Sequence, residues 1–203
     1  VEKIDISHLN TLSCTSDYII CADGGVDIAN TYGIRPDCVI GDFDSTVTSN
    51  RLDCLYITLP SEKDLTDTEA AINHAIELGI RDITVYGGIG GRLDHTLGNV
   101  GLLEKYIGKL DHLEFMDGKN SMQLLDSESC NSILLTHTSA YRYFSLVSLD
   151  SIADGVSITG AKYNLDNASI SRASTLCISN EIILNQAHIS VHHGKVLLIR
   201  SGD

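Results

Sequence analysis

Two aspartates separated by one residue stand in residues 41–45, which read G-D-F-D-S. Asp42 and Asp44 follow an apolar run, and an extended backbone would point residues i and i+2 to the same side. Mg²⁺ prefers oxygen ligands and is commonly held by one or two carboxylates together with substrate phosphates. The pair therefore predicts a magnesium-assisted phosphate site. The alternative is that both are ordinary turn residues, since Asp is common in turns.

A second acidic pair, Asp64 and Asp67, lies in K-D-L-T-D, at a predicted helix start. Thr66 followed by Glu69 fits the capping box, which makes Asp67 the first helical residue. Aspartate in a first turn also complements the helix dipole, so capping alone would explain the pattern. The coincidence of two acidic clusters at strand ends or helix starts in one half of the chain favours a functional site.

A glycine-rich turn followed by a basic residue occurs in residues 87–95, G-G-I-G-G-R-L-D-H. Backbone N–H groups of such a turn and of the helix start after it can face an anion. The third glycine of the dinucleotide fingerprint and the G-K-[ST] of the P-loop are missing, which argues against both of those sites. Arg92 is predicted to clamp a phosphate. Asp94 could hold Arg92 or join the metal site, and His95 lies beside them.

The elements that must position these residues fall into two classes along the chain. Residues 1–111 alternate short β-like runs with helical patterns, which predicts a parallel sheet flanked by helices in a Rossmann-like α/β domain. Ligands bind at the carboxyl ends of strands in such sheets, where Asp23, Asp42, Asp44 and the glycine-rich turn G-G-I-G-G fall. Over residues 112–203 the helical patterns give way to short Ser-, Thr-, Ile- and Val-rich runs, which predict an antiparallel β-sandwich domain.

One further helix is predicted directly after the glycine-rich turn. Its apolar residues recur with helical spacing, at Leu93, Leu97, Val100, Leu103 and Ile107. This spacing is typical of a helix.

Composition excludes several classes of function. The formal net charge is −13, with most acidic residues in the first half, and this balance repels nucleic acids and anionic membranes. The six cysteines form no C-x-x-C pair and are expected to be reduced core residues. No apolar run approaches the roughly 20 residues needed to span a bilayer, and no signal peptide is evident. A cytoplasmic protein without nucleic-acid or membrane partners is expected.

Five motifs occur in a specific order: ADGG, PDCVIGDFDS, KDLTDTEAA, GGIGGRLDHTLGN and, in the second half, ISNE. In this order and spacing the chain resembles the thiamin pyrophosphokinase family. The resemblance implies transfer of a pyrophosphoryl group from ATP to the hydroxyethyl group of thiamin, giving thiamin diphosphate and AMP. It also implies a requirement for Mg²⁺ and a homodimer with active sites between subunits. Family members usually begin with a further strand and an Asn-Gly turn that help to bind the nucleotide, whereas this sequence opens at VEKIDISHLN, so the resemblance assigns no residues to that part of the site.

The resemblance also implies roles for individual residues. The carboxylates expected to be catalytic are Asp42, Asp44, Asp64, Asp67 and Asp94, and of these Asp42, Asp44 and Asp67 would bind magnesium. The residues expected beside ATP are Asp23, Gly24, Thr66, Gly88, Gly90, Gly91, Arg92, His95 and Asn99. Ser179 and Asn180 would hold the thiamin pyrimidine from the partner subunit. Tyr163 would stack on a thiamin ring, or is simply an aromatic on a sheet face.

The expected reaction is in-line attack of the thiamin hydroxyl on the β-phosphorus of ATP, with Asp44 or Asp67 accepting the proton. Two other enzymes remain open at this point. D-F-D-S also fits the start of an aspartyl-phosphatase pattern, in which Asp42 would be a covalent nucleophile. Pyrophosphorylation of a pterin alcohol is the other, and the ISNE motif argues against it. A non-enzymatic β-domain binding module would show no metal-dependent turnover.

Overall fold

The computed structural model describes residues 17–43, 53–60, 62 and 64–203. The described residues fall into two compact units, one ending at Arg81 and the other comprising Asp82–Asp203. Asp44 and Cys14, which carried sequence-based predictions, lie outside the described residues.

The first unit contains a small parallel sheet flanked by helices. Its described strands pair in the order β1-β2-β3, namely β1 (Ile20–Ala22), β2 (Cys38–Gly41) and β3 (Leu55–Thr58). All four residues of β2 are buried, as expected for the central strand of a covered sheet. Helix α1 (Gly25–Thr31) connects β1 to β2, and α2 (Asp67–Glu77) packs against both strands. The predicted combination of parallel strands and helices is confirmed.

Helix α2 begins where the sequence predicts. The backbone N–H of Glu69 donates to Thr66 Oγ1 (3.2 Å), so Thr66 is the N-cap and Asp67 is the first helical residue. Ile72 and Ala75 form its buried face. Gly79 follows the helix in the left-handed region (φ 82°), where its lack of a Cβ lets the chain turn away.

The second unit is built on two sheets and is described throughout residues 82–203. It begins with β4 (Asp82–Tyr86), α3 (Leu93–Lys105), β5 (His112–Met116) and β6 (Asn120–Asp126). The strands that follow are β7 (Ser132–Thr136), β8 (Tyr143–Ser148), β9 (Ile152–Thr159), β10 (Leu165–Ser171), β11 (Asn180–Glu181), β12 (Gln186–Ser190) and β13 (Lys195–Ser201).

The strands of this unit pair into one six-stranded and one four-stranded sheet over residues 82–203. The six-stranded order is β11-β8-β13-β6-β5-β4, in which only β4 and β5 are parallel. The four-stranded order is β10-β9-β12-β7, entirely antiparallel. Both sheets contribute to one apolar core, which includes Phe144 and Leu198 from the larger sheet and Ile158 and Ile189 from the smaller one. The predicted β-rich C-terminal region is confirmed.

The first compact unit ends at Arg81, whereas the sequence predicted a domain boundary between residues 111 and 112. The physical reason is strand pairing, because β4 pairs with β5 and β5 continues the sheet to β6. Helix α3, which connects β4 to β5, packs against β5 and β6. The strand and helix that carry the glycine-rich turn therefore belong, by their packing, with the β-rich unit.

Helix α3 buries only part of its apolar row. Leu93 and Leu97 are 70% and 62% exposed, whereas Leu102 and Leu103 are buried, and Tyr106 just after the helix is buried with them. The helical period is as predicted. The polar residue Asn99 is also buried, and its amide binds the glycine-rich turn.

Cysteine burial follows the prediction only in part. Cys21, Cys38 and Cys177 are buried free thiols, whereas Cys130 is exposed, so its placement in the core was wrong. Burial raises the pKa of the Cys21 thiol to about 11. No helix in the described parts of the chain combines the length and apolarity required to cross a bilayer.

Candidate active site

Asp23 and Asp42 follow the carboxyl ends of neighbouring strands in the first unit. The backbone N–H of Asp23 donates to Ile40 O (2.8 Å), which ties the end of β1 to β2. Gly41 allows this approach, since a Cβ there would lie 3.2 Å from the Asp23 Cα. The two aspartates therefore leave the sheet side by side, as the strand-end prediction required.

Asp23 also has two energetically costly features. Its backbone is in the left-handed region (φ 44°), which is uncommon for a residue other than glycine. Its Oδ1 is buried and has no hydrogen-bond partner among the described residues. An unpaired buried acceptor costs about 1–3 kcal/mol, and strain of this kind clusters at functional sites. A buried carboxylate oxygen without a donor is the type of ligand that a hard cation takes.

Phe43, between the two aspartates of G-D-F-D-S, is likewise left-handed (φ 57°). Its ring packs on Tyr56 of β3, with the ring centroids 5.6 Å apart and tilted by 55°. The extended backbone assumed for residues 42–44 is therefore wrong at Phe43. A chain turn held by an aromatic contact replaces it.

The start of α2 supplies the other predicted acidic residues of this unit. Asp67 is half-buried at the first helical position, and Asp64 is exposed just before it. The Thr66 hydroxyl already accepts the capping hydrogen bond. Among the described residues no group of three His, Cys, Asp or Glu side chains could hold a metal ion. Because Asp44 lies outside those residues, the predicted magnesium set of Asp42, Asp44 and Asp67 stays a prediction.

In the second unit, the glycine-rich turn is fixed to the sheet by close packing. Gly87 N donates to Met116 O (2.9 Å) at the end of β5. A Cβ on Gly88 would lie 2.4 Å from Phe115 Cδ1, so only glycine fits there without rearrangement. Gly90 has φ 86°, and its N–H donates to Thr96 Oγ1 (3.2 Å) in α3. The turn is thus a rigid element and not a loose loop.

The side chain of Asn99 forms a hydrogen bond with the same glycine-rich turn. It is 6% exposed, and its Nδ2 donates to Gly88 O (2.7 Å). A side chain in this position acts on the turn itself, and its predicted place beside ATP stays a prediction.

Arg92 and Asp94 form a two-point ion pair at the start of α3. Arg92 Nε lies 3.1 Å from Asp94 Oδ1, and Arg92 Nη2 lies 2.5 Å from Asp94 Oδ2. The side-chain hydrogen bond from Arg92 is the main cause that lowers the pKa of Asp94. His95 N also donates to Asp94 Oδ1 (3.0 Å). Of the two roles that the sequence left open for Asp94, the structure shows the pairing with Arg92.

The three residues predicted to contact thiamin are brought together in the second unit. Asn180 is 2% exposed and binds both backbone groups of Tyr163. The Tyr163 side chain is exposed, as is Ser179. Ser179 is left-handed (φ 59°), and its N–H donates to Ser145 Oγ (3.0 Å) on β8. Sequence reasoning missed Ser145, whose only signal was a serine inside the apolar run YFSLVS.

An ion network flanks this cluster and was also missed from the sequence. Glu181 accepts from Lys162 Nζ (2.8 Å) and from Arg142 Nε (3.3 Å). Hydrogen bonds from Lys162 and Arg142 lower the pKa of Glu181, in that order of importance. The network ties β11 to the start of β8 and to the turn that carries Tyr163. No local motif signals it, because the three residues are far apart in sequence.

Comparison with known proteins identifies both halves of the chain. The family pattern described as thiamin pyrophosphokinase, catalytic domain, matches residues 9–116. The pattern described as thiamin pyrophosphokinase, vitamin B1 binding domain, matches residues 131–196. Thiamine pyrophosphokinase of Bacillus subtilis (strain 168) is 33% identical over 177 residues, which cover 84% of this chain and 81% of that protein.

Solved structures agree with this match. A crystal structure of thiamine pyrophosphokinase from Bacillus subtilis has a TM-score of 0.87 at 31% identity, covering 96% of this chain and 92% of that one. A crystal structure of thiamin pyrophosphokinase from Geobacillus thermodenitrificans has a TM-score of 0.81 at 34% identity, covering 96% and 91%. The chain therefore belongs to the thiamin pyrophosphokinase family, and the predicted enzyme class, thiamine diphosphokinase, is confirmed.

Proposed function

We propose that this enzyme uses ATP and Mg²⁺ to convert thiamin into thiamin diphosphate, with AMP as the second product. The observation that carries the proposal is the strand-end pair of Asp23 and Asp42 in a chain of this family. Asp23 lies beside Asp42 and keeps a buried carboxylate oxygen that has no donor among the described residues. Such an oxygen suits a metal-assisted phosphate site and serves no evident purpose in the fold.

The residues proposed to hold Mg²⁺ are Asp42, Asp44 and Asp67, with Asp23 and Asp64 completing the acidic pocket. Their oxygen-only chemistry fits a hard divalent cation. When bound, Mg²⁺ would neutralise the charge on the phosphates of ATP.

The proposed nucleotide contacts come from the glycine-rich turn and from the strand and helix ends. Backbone N–H groups at Gly88, Gly90 and Gly91 would face phosphate oxygens. Asp94 holds one edge of the Arg92 guanidinium, which presents the other edge to an anion. The other residues proposed beside ATP are Asp23, Gly24, Thr66, His95 and Asn99.

The proposed chemical step begins with the thiamin hydroxyl in line with the β-phosphorus of ATP. A carboxylate, Asp44 or Asp67, accepts the hydroxyl proton as the new O–P bond forms. The bond between the β-phosphorus and the oxygen bridging to the α-phosphorus breaks, and AMP leaves with that electron pair. Catalysis of this kind depends mainly on positioning and charge stabilisation.

We also propose that the two domains predicted from the sequence have separate binding functions. Residues 1–111 would form the Rossmann-like domain for ATP and Mg²⁺, with β4 and α3 contributed from the compact unit of residues 82–203. Residues 112–203 would form a β-sandwich for thiamin binding and dimerisation. Exposed apolar side chains beside Ser179 and Asn180 support a second copy as partner, since such patches mark interaction surfaces. They are Leu176, Ile178, Ile183 and Leu184. The homodimer would have active sites between subunits and would lie in the cytoplasm.

Isotope labelling tests the bond that breaks. With [γ-³²P]ATP, thiamin and Mg²⁺, the label should appear in thiamin diphosphate, whereas [α-³²P]ATP should give labelled AMP only. Label from the γ-phosphate found in a thiamin monophosphate would contradict attack at the β-phosphorus. Inorganic phosphate released from simple phosphate esters would instead support the aspartyl-phosphatase mechanism with Asp42 as nucleophile. Turnover of a pterin alcohol in place of thiamin would support the pterin alternative.

A further inference from the structure

The side-chain amide of Asn180 forms hydrogen bonds with the protein backbone and does not face the open surface. We infer that Asn180 is a positioning residue, which fixes Tyr163 and thereby presents the Tyr163 ring to the aminopyrimidine or thiazolium ring of thiamin. The inference rests on the proposed function of this site as the thiamin-binding surface. It assigns the direct ligand contact to Tyr163 and Ser179, and an indirect role to Asn180.

The hydrogen bonds of Asn180 leave little capacity for a ligand. Its Oδ1 accepts from Tyr163 N and from Glu181 N, each at 3.0 Å. Its Nδ2 donates to Tyr163 O at 2.8 Å. Both acceptor positions of the amide oxygen and one of the two N–H donors are therefore occupied. With 2% of the residue exposed, the remaining donor has almost no surface to offer.

Tyr163 is held at both of its backbone groups by this one side chain, while the residue itself is 58% exposed. Neighbouring contacts fix the same turn, since Lys162 N donates to Glu181 O (2.9 Å). Lys162 Nζ lies 5.6 Å from the ring centroid and covers one face of the ring. An exposed flat ring on a fixed backbone loses little conformational freedom when a heteroaromatic ring stacks on it.

Ser179 is supported in a parallel manner. Its left-handed backbone (φ 59°) is held by the hydrogen bond from its N–H to Ser145 Oγ. Ser145 is 8% exposed and lies on β8, which pairs with β11. Each exposed residue of the site is thus held through hydrogen bonds by a buried polar side chain. Asn180 holds Tyr163, and Ser145 holds Ser179.

A single-tryptophan reporter tests the inference, since the chain contains no tryptophan. Tyr163→Trp is prepared in the full-length protein with Asn180 intact and with Asn180→Ala. In ligand-free protein we expect lower fluorescence anisotropy at position 163 in the Asn180→Ala variant. Titration with thiamin should quench the reporter, with a dissociation constant about tenfold higher in that variant because preorganisation is lost.

Steady-state kinetics on the tyrosine-containing enzyme completes the test. Asn180→Ala should raise KM for thiamin about tenfold, with a smaller change in kcat and none in KM for ATP. Once Tyr163→Ala is present, adding Asn180→Ala should cause little further loss, because both changes remove the same contact. Additive losses with unchanged anisotropy would overturn the inference and assign Asn180 a direct ligand contact.

Failure of the proposed function has a different signature. In that case thiamin would not quench Trp at position 163 even with Asn180 intact, while the ligand-free anisotropy would still decide whether Asn180 holds position 163. If Asn180→Ala does not fold, Asn180→Asp keeps the acceptor for the two N–H groups and replaces the donor to Tyr163 O by a carboxylate oxygen, which repels it. It should shift anisotropy and KM for thiamin in the same direction, and unchanged values would contradict the inference.

Two serines of β8 allow a matched test of the hydrogen bond from Ser179 N–H to Ser145 Oγ. Ser148 is 1% exposed, and its Oγ donates to Asp150 O (2.9 Å), so Ser148→Ala also removes a buried hydroxyl. Both Ser145→Ala and Ser148→Ala should lower the melting temperature. Only Ser145→Ala should raise KM for thiamin, by several-fold. Equal effects of the two variants on KM would show a general loosening of the sheet and contradict specific support of Ser179.

Discussion

Asp23 combines a left-handed backbone with a buried carboxylate oxygen that no described residue partners. Each of these features costs about 1–3 kcal/mol, a large share of the free energy of unfolding of an ordinary domain. They occur next to Gly41 and Asp42 at neighbouring strand ends. The fold accommodates strain at the place where the sequence predicts phosphate chemistry, which favours a functional explanation for it.

The carboxylates at the strand ends should be required for turnover and not for folding. We expect Asp42→Asn to lower kcat by at least about a hundredfold at saturating Mg²⁺ and ATP, the scale seen when one charge-stabilising group is removed. Asp23→Asn should weaken the stabilisation that Mg²⁺ with ATP gives in thermal unfolding.

The control for both variants is Asp27→Asn, which changes an exposed aspartate of α1 in the same unit. It should keep wild-type kcat and wild-type stabilisation by Mg²⁺ with ATP. Full activity in Asp42→Asn would remove Asp42 from the proposed site.

Individual site residues were predictable from the sequence where a local motif carries them. Asp42, the Thr66 cap and the nearness of Arg92 to Asp94 all follow from spacing. Ser145 and the network around Glu181 were not predictable, since their partners lie 34 and 19 or more residues away. A turn was one of the two alternatives for residues 42–44, but its left-handed position at Phe43 was not predictable, since a left-handed phenylalanine has no sequence signature.

At the scale of elements, the glycine-rich turn depends on its fit against β5. Gly88→Ala places a Cβ 2.4 Å from the Phe115 ring and 3.1 Å from Asn99 Nδ2. We expect this overpacking to lower the free energy of unfolding by about 1–3 kcal/mol. Because the turn must shift, KM for ATP should rise as well, which initial-rate kinetics and denaturant unfolding measure together.

Gly101→Ala is the matched control on α3. Apart from its chain neighbours and the backbone of its own helix, no atom of the described residues lies within 4 Å of a Cβ built there, and its backbone is helical. The same chemical change should therefore raise the free energy of unfolding by about 0.5–1 kcal/mol and leave KM for ATP unchanged. Similar destabilisation by Gly88→Ala and Gly101→Ala would refute the packing argument.

The N-cap of α2 allows a separate test. Thr66→Ala should lower the free energy of unfolding by about 1 kcal/mol, since Glu69 N loses its acceptor. Thr66→Ser keeps the oxygen and should behave like wild type in urea unfolding. If Thr66→Ala lowers kcat while stability is unchanged, the residue acts in the site and not as a cap.

Elements with strong local signals were predicted correctly, and those set by distant pairing were not. The capped start of α2 and the strand before the glycine-rich turn follow from nearby residues. Strand β10 pairs with β9 in an irregular register, so its residues lack the alternation of buried and exposed positions that predicts a strand. The burial of Asn99 could not be predicted, because its amide binds Gly88 O, eleven residues away in sequence.

For the whole molecule, the exposed apolar side chains around β11 carry the proposal of a homodimer. Ile183 and Leu184 are 62% and 65% exposed. The double substitution Ile183→Glu and Leu184→Glu should shift the protein from dimer to monomer in size-exclusion chromatography with light scattering. Thiamin turnover should fall with it, because the active sites are proposed to lie between subunits.

Leu134→Glu is the control for this surface change. Leu134 is 60% exposed on β7, in the four-stranded sheet. The Leu134→Glu variant should remain dimeric and active. A dimer that survives Ile183→Glu and Leu184→Glu would place the interface elsewhere.

The family could be recognised from the order of five motifs, but the arrangement of the chain could not. The sequence places the glycine-rich turn with the first half, whereas strand pairing joins β4 and α3 to the unit that ends at Asp203. Pairing between strands distant in sequence decides this division, and no local pattern encodes it.

Release of AMP from ATP by the purified protein, measured with thiamin present or omitted and with or without Mg²⁺, tests the proposed reaction. AMP should be released only when thiamin and Mg²⁺ are both present, with one thiamin diphosphate formed for each AMP. AMP release that does not depend on thiamin would contradict the proposed reaction.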